Sequence, residues 1–530
     1  MARRISAADL KGWIRDGGEL AILDVREQGS YGKRHLFWAA NAPLSRLELD
    51  LPRLVPRKGA RIALCDGGNG LSEQAAEKLA RWGYRDVAVL EGGVEGWAHA
   101  GYELFSGVYV PSKAFGEFVE HEYGTPSVSA DELNAMVQSG EKLVILDSRP
   151  LDEYAAMNIP GGINVPGAEL AFRVHDLAPE PDTTVVVNCA GRTRSIIGAQ
   201  SLINAGIPNK VVALRNGTMG WHLAGFTLEH GQMRRYGELS DTGLAAARKH
   251  AADVAQRFGV RTIDKAGLDR FRAEAEERSL YLLDVRDPSE FAVSRVPGSL
   301  PAPGGQLVQA TDAYVATRNA RIVLIDDHGV RATMTASWLI QMGWKEVYVY
   351  ENALISESLE TSHYLAPALG FDREPMKSVS PESLQMLIEA DSAVVIDVAR
   401  SLYYRDHGHV PGAWFAIRAR LPEALKKMPK ASHYVLTSED GRLAKLAAYD
   451  LAALTDARIS VLAGGTDRWR ADGLPTEKGM TRLACEPDDV YLRPYDREQG
   501  IEEAMNEYLS WEIELVRQIE RDGDATFVKF

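Results

Sequence analysis

Cysteine is scarce: three in 530 residues, at positions 65, 189 and 485. An odd, widely spaced set excludes a disulfide framework and fits a reducing compartment. No apolar run reaches membrane-spanning length, and the opening segment carries Arg3, Arg4 and Asp9 rather than an apolar stretch, so neither a signal peptide nor a span is expected and a cytoplasmic location is the default. Blocks of Lys or Arg are also missing, and the net charge is −14, which argues against nucleic acid or an anionic membrane as the main partner. His407 and His409 stand at a turn with no further ligand nearby, so no metal is expected, and no cofactor.

What is present repeats. Asp-x-Arg-like starts occur at Asp24-Val-Arg26, Asp147-Ser-Arg149, Asp284-Val-Arg286 and Asp397-Val-Ala-Arg400, spaced by 123, 137 and 113 residues. Loops after the fourth predicted strand of each unit begin at Cys65, Cys189, Asp326 and Ser438, and their spacings track the first set. Such a period marks a tandem array. Unit ends recur as Leu90-Glu-Gly-Gly-Val-Glu-Gly-Trp97, Leu214-Arg-Asn-Gly-Thr-Met-Gly-Trp221 and Leu462-Ala-Gly-Gly-Thr-Asp-Arg-Trp469; the third unit shows no recognisable copy. Short Val/Ile/Leu runs such as Thr184-Val-Val-Val187 alternate with helix-patterned segments, which predicts an α/β fold with a parallel sheet in each unit. The expected domains are 8–105, 128–232, 262–360 and 380–478, followed by a helical extension at 483–530. The tail helix, with Ile501, Met505, Tyr508, Ile513 and Leu515 as its apolar positions, is expected to pack across a domain junction.

The stretch Cys189-Ala-Gly-Arg-Thr-Arg-Ser195 carries the chemistry. It places a thiol at a strand-to-helix turn, where backbone N–H groups converge, the following helix points its positive end at the sulfur, and Arg192 and Arg194 add charge. Such surroundings favour thiolate over thiol. Cys65 lies in a loop with an acid beside it and no basic residue, so it is at most a second, weaker thiol. Cys485 has no basic neighbours and is expected to pack rather than react.

The order Asp-x-Arg, Asn158-Ile-Pro-Gly-Gly162, Cys189-x4-Arg194 and the glycine-rich end at Trp221 resembles a rhodanese domain. The resemblance covers roughly residues 10 to 480, strongly in the second unit and weakly in the third. It implies a four-domain sulfurtransferase in which Cys189 attacks the outer sulfur of thiosulfate or a low-molecular-weight persulfide. A Cys189 persulfide forms and passes its sulfur to a thiol, cyanide or protein acceptor. Ala190, Gly191, Arg192, Thr193, Arg194 and Ser195 would hold the anion. Arg149 would either reach the same pocket or pair with a carboxylate such as Glu153. The third and fourth units, without a thiol, would be inactive. Two alternatives stand beside this: a sulfur-carrier scaffold loaded by a partner protein, and a phosphatase or arsenate reductase on a similar fold, against which the tight Cys-x4-Arg loop counts.

Overall fold

A computed structural model describes residues 3–530. Each of the four units builds a parallel sheet with the same spatial order, in which the fourth strand is central: first, fifth, fourth, second, third. The central strands Arg61–Cys65, Thr184–Asn188, Arg321–Ile325 and His433–Thr437 are covered on both faces by helices. This is why they read as unbroken apolar runs rather than alternating ones. Val185, Val186 and Val187 are all fully buried, each contributing about 1.5–3 kcal/mol of burial free energy. Long helices such as Leu71–Arg81, Thr193–Ala205 and Val330–Gln341 cross over from the fourth strand to the fifth.

Strand register corrects one landmark. Asp24 pairs with Cys65, Asp147 with Asn188, Asp284 with Ile325 and Asp397 with Thr437. Cys65 is therefore the last residue of its strand, equivalent to Asn188. The residues that follow, Asp66, Cys189, Asp326 and Ser438, are the true counterparts. The fourth unit's Asp-x-Arg is displaced too: Ala399 donates its N–H to Asp397 at 2.8 Å, where Arg26, Arg149 and Arg286 do so in the other units. Arg400 lies one residue further on and is exposed.

The third unit does possess a shortened end. Asn352 adopts φ 54° before the four-residue helix Ala353–Ser356, matching Asn216 at φ 63° before Gly217–Leu223. It escaped recognition because Ala353, Ser356 and Glu357 stand where the second unit has Gly217, Gly220 and Trp221.

The domains are joined tightly. Thr317–Arg318 of the third unit adds an antiparallel strand to the edge of the first unit's sheet, opposite Ala21 and Leu20, closing an edge that would otherwise be open. The second and third units meet about a local two-fold. Arg194 pairs with Glu153 and reaches Gln306 across the interface, while its counterpart Arg331 pairs with Glu290 and reaches Glu169. Close backbone approach makes glycine necessary there: a Cβ on Gly167 would lie 2.7 Å from the Cα of Gly305. The first and fourth units are locked by buried Arg418, which donates to Glu48 at 2.7 and 2.9 Å.

The helix Val110–Tyr123 joins the first two units, and Ile501–Asp522 packs along it. The buried face of the latter is Met505, Leu509, Glu512, Leu515 and Ile519, whereas Ile513 is 49% exposed. Among the described residues no helix is long and apolar enough to cross a membrane.

Candidate active site

Cys189 follows the central strand of the second unit and is 2% exposed. The turn is clamped from behind: Thr218 and Met219 donate their N–H groups to the carbonyls of Cys189 and Ala190 at 2.8 and 3.0 Å. Gly217 sits so close that a Cβ there would lie 2.2 Å from the Cys189 carbonyl. Ser195 Oγ donates to Cys189 Sγ at 3.1 Å, and the helix Thr193–Ala205 starts at the loop with its positive end toward the sulfur.

Cys189, Ala190, Gly191, Arg192, Thr193 and Arg194 line one cavity of about 270 Å³. The rest of its wall comes from elsewhere in the chain: Arg53 of the first unit, Tyr109 and Lys113 of the joining helix, Gln306, Gln309 and Tyr314 of the third unit, and Tyr491, Arg493, Tyr495, Tyr508 and Glu512 of the C-terminal extension. The extension expected to span a junction does so, and it also closes this cavity.

Neither loop arginine is free. Arg192 makes a two-pronged pair with Glu117 at 2.7 and 2.8 Å and also binds Glu120. Arg194 closes on Glu153 at 3.1 and 2.8 Å. Burial opposes the charge of Glu153, but Arg194 outweighs it and holds the carboxyl down at about 2. Burial, in contrast, pushes Glu117 up to about 7, although Arg192 lies against it. Among the cations lining the cavity, Arg53 pairs with Asp50 and Arg493 with Asp496.

Among these described side chains Lys113 alone has no carboxylate partner. It donates to the Tyr508 hydroxyl and lies 4.5 Å from that ring's centroid and 5.6 Å from that of Trp511. Burial lowers its pKa, with Glu512 acting in the opposite direction.

Arg149 takes the second role expected of it, an ion pair with a nearby carboxylate, but its partner is Asp147 rather than Glu153. It is fully buried, its Nε and Nη2 donate to the two oxygens of Asp147 at 2.9 and 2.7 Å, and it also binds the carbonyl of Met157. Arg26 and Arg286 make the same contacts with Asp24 and Asp284. An arrangement shared by units with and without a thiol braces the strand end.

The other loops differ at their first residue. Asp66 accepts N–H bonds from Gly68 and Ser72 at 2.8 and 2.9 Å, and Asp326 from Gly329 and Ala332 at 2.7 and 3.2 Å. Ser438 Oγ accepts from Ala444 N–H at 3.2 Å. Each thus engages the residue six further on, the position Ser195 holds relative to Cys189. Cys65 is fully buried in the first unit's core, and burial together with Asp24 pushes its thiol well up. Cys485 accepts from the Ile417 N–H at 3.1 Å and packs in the fourth unit's core.

Sequence reading missed Lys113, Glu512, Tyr109, Tyr491 and Tyr495 because they lie outside the repeats. One signal was available: Glu512 falls on the apolar face of its helix, in line with Met505 and Leu509, where a carboxylate needs a reason.

Four parallel sheets of one topology are repeated, and in the second a thiol stands just past the end of the central strand, where the other units carry Asp66, Asp326 and Ser438. The family model for the rhodanese-like domain matches residues 6–100, 129–224, 268–354 and 380–472, and the chain belongs to that family. Over its full length it is similar to the crystal structure of a thiosulfate sulfurtransferase from Pseudomonas aeruginosa, with 48% identity, coverage of 100% of this chain and 99% of that one, and a TM-score of 0.94. It is 29% identical over 243 residues to a Mycobacterium tuberculosis protein named "Putative thiosulfate sulfurtransferase SseB", a match spanning 39% of this chain and 80% of that protein. It is also 32% identical over 117 residues to the HTH-type transcriptional regulator Rv0324 of the same organism, covering 22% of this chain and 50% of that regulator; the chain thus spans half the length of this relative.

Proposed function

We propose that the protein is a thiosulfate sulfurtransferase that carries sulfur as a persulfide on Cys189, with catalysis confined to the second unit. The observation that carries this reading is the register. Four equivalent turns present Asp66, Cys189, Asp326 and Ser438, and a thiol stands at one of them, facing a cavity with an unpaired lysine. The strong resemblance over the whole chain to a thiosulfate sulfurtransferase supports the choice of donor.

In this mechanism the Cys189 thiolate attacks the outer sulfur of thiosulfate, the S–S bond of the donor breaks, and sulfite leaves with the bonding electron pair. The loop N–H groups and the helix end stabilise the terminal sulfur anion. Arg192 and Arg194 shape the loop and raise its potential, but Glu117, Glu120 and Glu153 already occupy their donor faces, so Lys113 receives the sulfonate end and then the departing sulfite. The three cysteines are free and buried, which supports a reducing, cytoplasmic setting.

The test is a single-turnover experiment without acceptor. Wild type should release one equivalent of sulfite per chain in a rapid burst, and Cys189→Ser none. A burst that survives in Cys189→Ser would overturn the assignment, and the absence of a burst in wild type would favour a carrier loaded by another protein.

A further inference from the structure

The loading step leaves one group in the cavity unused. Glu512 is 1% exposed. Its Oε1 accepts from Thr193 Oγ1 at 2.5 Å, while its Oε2 has no partner among the described residues. This second oxygen lies against the loop, 3.6 Å from where a Cβ on Gly191 would be, and the residue lines the cavity. A buried carboxylate oxygen without a donor costs free energy until something supplies one. Thiosulfate, sulfite and the persulfide cannot, because all are anions that a carboxylate repels. What fits this oxygen is a neutral ligand that arrives with a proton and can afterwards attack sulfur.

We propose that Glu512 is the general base of the second half-reaction and that the acceptor is a small neutral thiol, an inference that rests on the persulfide reading above. The thiol enters with its S–H toward Oε2. Its proton moves to the carboxylate as its sulfur bonds to the outer sulfur of the Cys189 persulfide. The S–S bond to Cys189 breaks and its electron pair returns to Cys189. The products are an acceptor persulfide anion, the Cys189 thiolate and a neutral Glu512, which then passes the proton to the departing persulfide or to water. A chamber of about 270 Å³ walled by five separate segments, with Cys189 only 2% exposed, suits a free thiol better than a cysteine on a protein surface. Thr193 fixes the carboxylate by its other oxygen and ties the C-terminal helix to the loop it serves.

The experiment compares two acceptors on enzyme preloaded with thiosulfate and freed of excess donor. The first is 2-mercaptoethanol, which brings a proton, and the second is sulfite, which brings none. In Glu512→Gln the ratio of thiol-driven to sulfite-driven discharge should fall by about 100-fold or more, the usual range for loss of a general base. It should recover with rising pH as the free thiol ionises on its own. Glu512→Ala provides the second arm: formate should restore part of the thiol-driven rate and leave the sulfite-driven rate where it was. An unchanged ratio, whether both rates fall together or neither does, would overturn the proposal, as would failure of both formate and alkaline pH to restore thiol discharge. If wild type holds no sulfur after thiosulfate, the persulfide reading itself fails, and that result is distinct from a loaded variant with an unaltered ratio.

Discussion

The second and first units share a fold, a strand register and a braced Asp-x-Arg, yet their loops are built for opposite purposes. In the first, Asp66 places a carboxylate where an incoming anion would lie and satisfies the N–H groups of Gly68 and Ser72 itself. In the second, Cys189 offers sulfur in place of that carboxylate and meets only the Ser195 hydroxyl. An anion cradle can be filled once and for all by its own chain or, on the proposed mechanism, kept for a sulfur that comes and goes. The third unit repeats the first solution with Asp326, and the fourth uses the neutral Ser438. On the proposed reading three of the four domains support one working turn, and the first and third also contribute to its walls.

The largest expected effect is loss of the thiol. Cys189→Ser should reduce thiosulfate:cyanide sulfur transfer to background, while Cys65→Ser should leave turnover intact and cost about 1–3 kcal/mol of stability, because it puts a hydroxyl into a packed core. Equal loss of activity from both substitutions would erase the contrast between the loops.

Lys113→Met should lower kcat/KM for thiosulfate by about 100-fold, in line with loss of a cation that meets developing negative charge, with a smaller effect on a neutral organic persulfide donor. Since burial lowers the pKa of this lysine, wild-type kcat/KM for thiosulfate should decline with rising pH earlier than an ordinary lysine would allow. Lys113→Met should lose that limb of the profile.

The fourth unit sharpens the comparison through stability. Asp397 lacks the arginine that its counterparts bind, and burial pushes its carboxyl up to about 7. The folded value lies above the unfolded one, so this group's contribution is fully favourable below about pH 4 and is lost as pH rises through 7. Asp397→Asn should therefore raise the melting temperature little at pH 4 and most at pH 8, where the gain approaches about 3–4 kcal/mol. The smallest effect is expected from Ser438→Cys: the side chain is fully buried, and the new thiol should fold in place and take no sulfur from thiosulfate.

Much of this was legible in the sequence. The repeats, the parallel sheets and Cys189 follow from spacing and from apolar runs that only doubly covered strands can use. The one-residue offset between Cys65 and Cys189 was not, because a cysteine at a strand end looks like the start of a loop until pairing with Asp24 fixes the register. Arg192 and Arg194 line the cavity, but their carboxylate partners Glu117, Glu120 and Glu153 lie 41 to 75 residues before them, and local sequence cannot show such pairing. Lys113 and Glu512 come from helices outside any repeat, and long-range packing alone brings them to the sulfur.

The most direct test is peptide-mapped mass analysis after brief thiosulfate exposure, followed by cyanide. The account predicts one extra sulfur atom on the peptide carrying Cys189, none on those carrying Cys65 or Cys485, and its removal by cyanide. Sulfur on Cys65, or none on Cys189 in enzyme that is turning over, would contradict it.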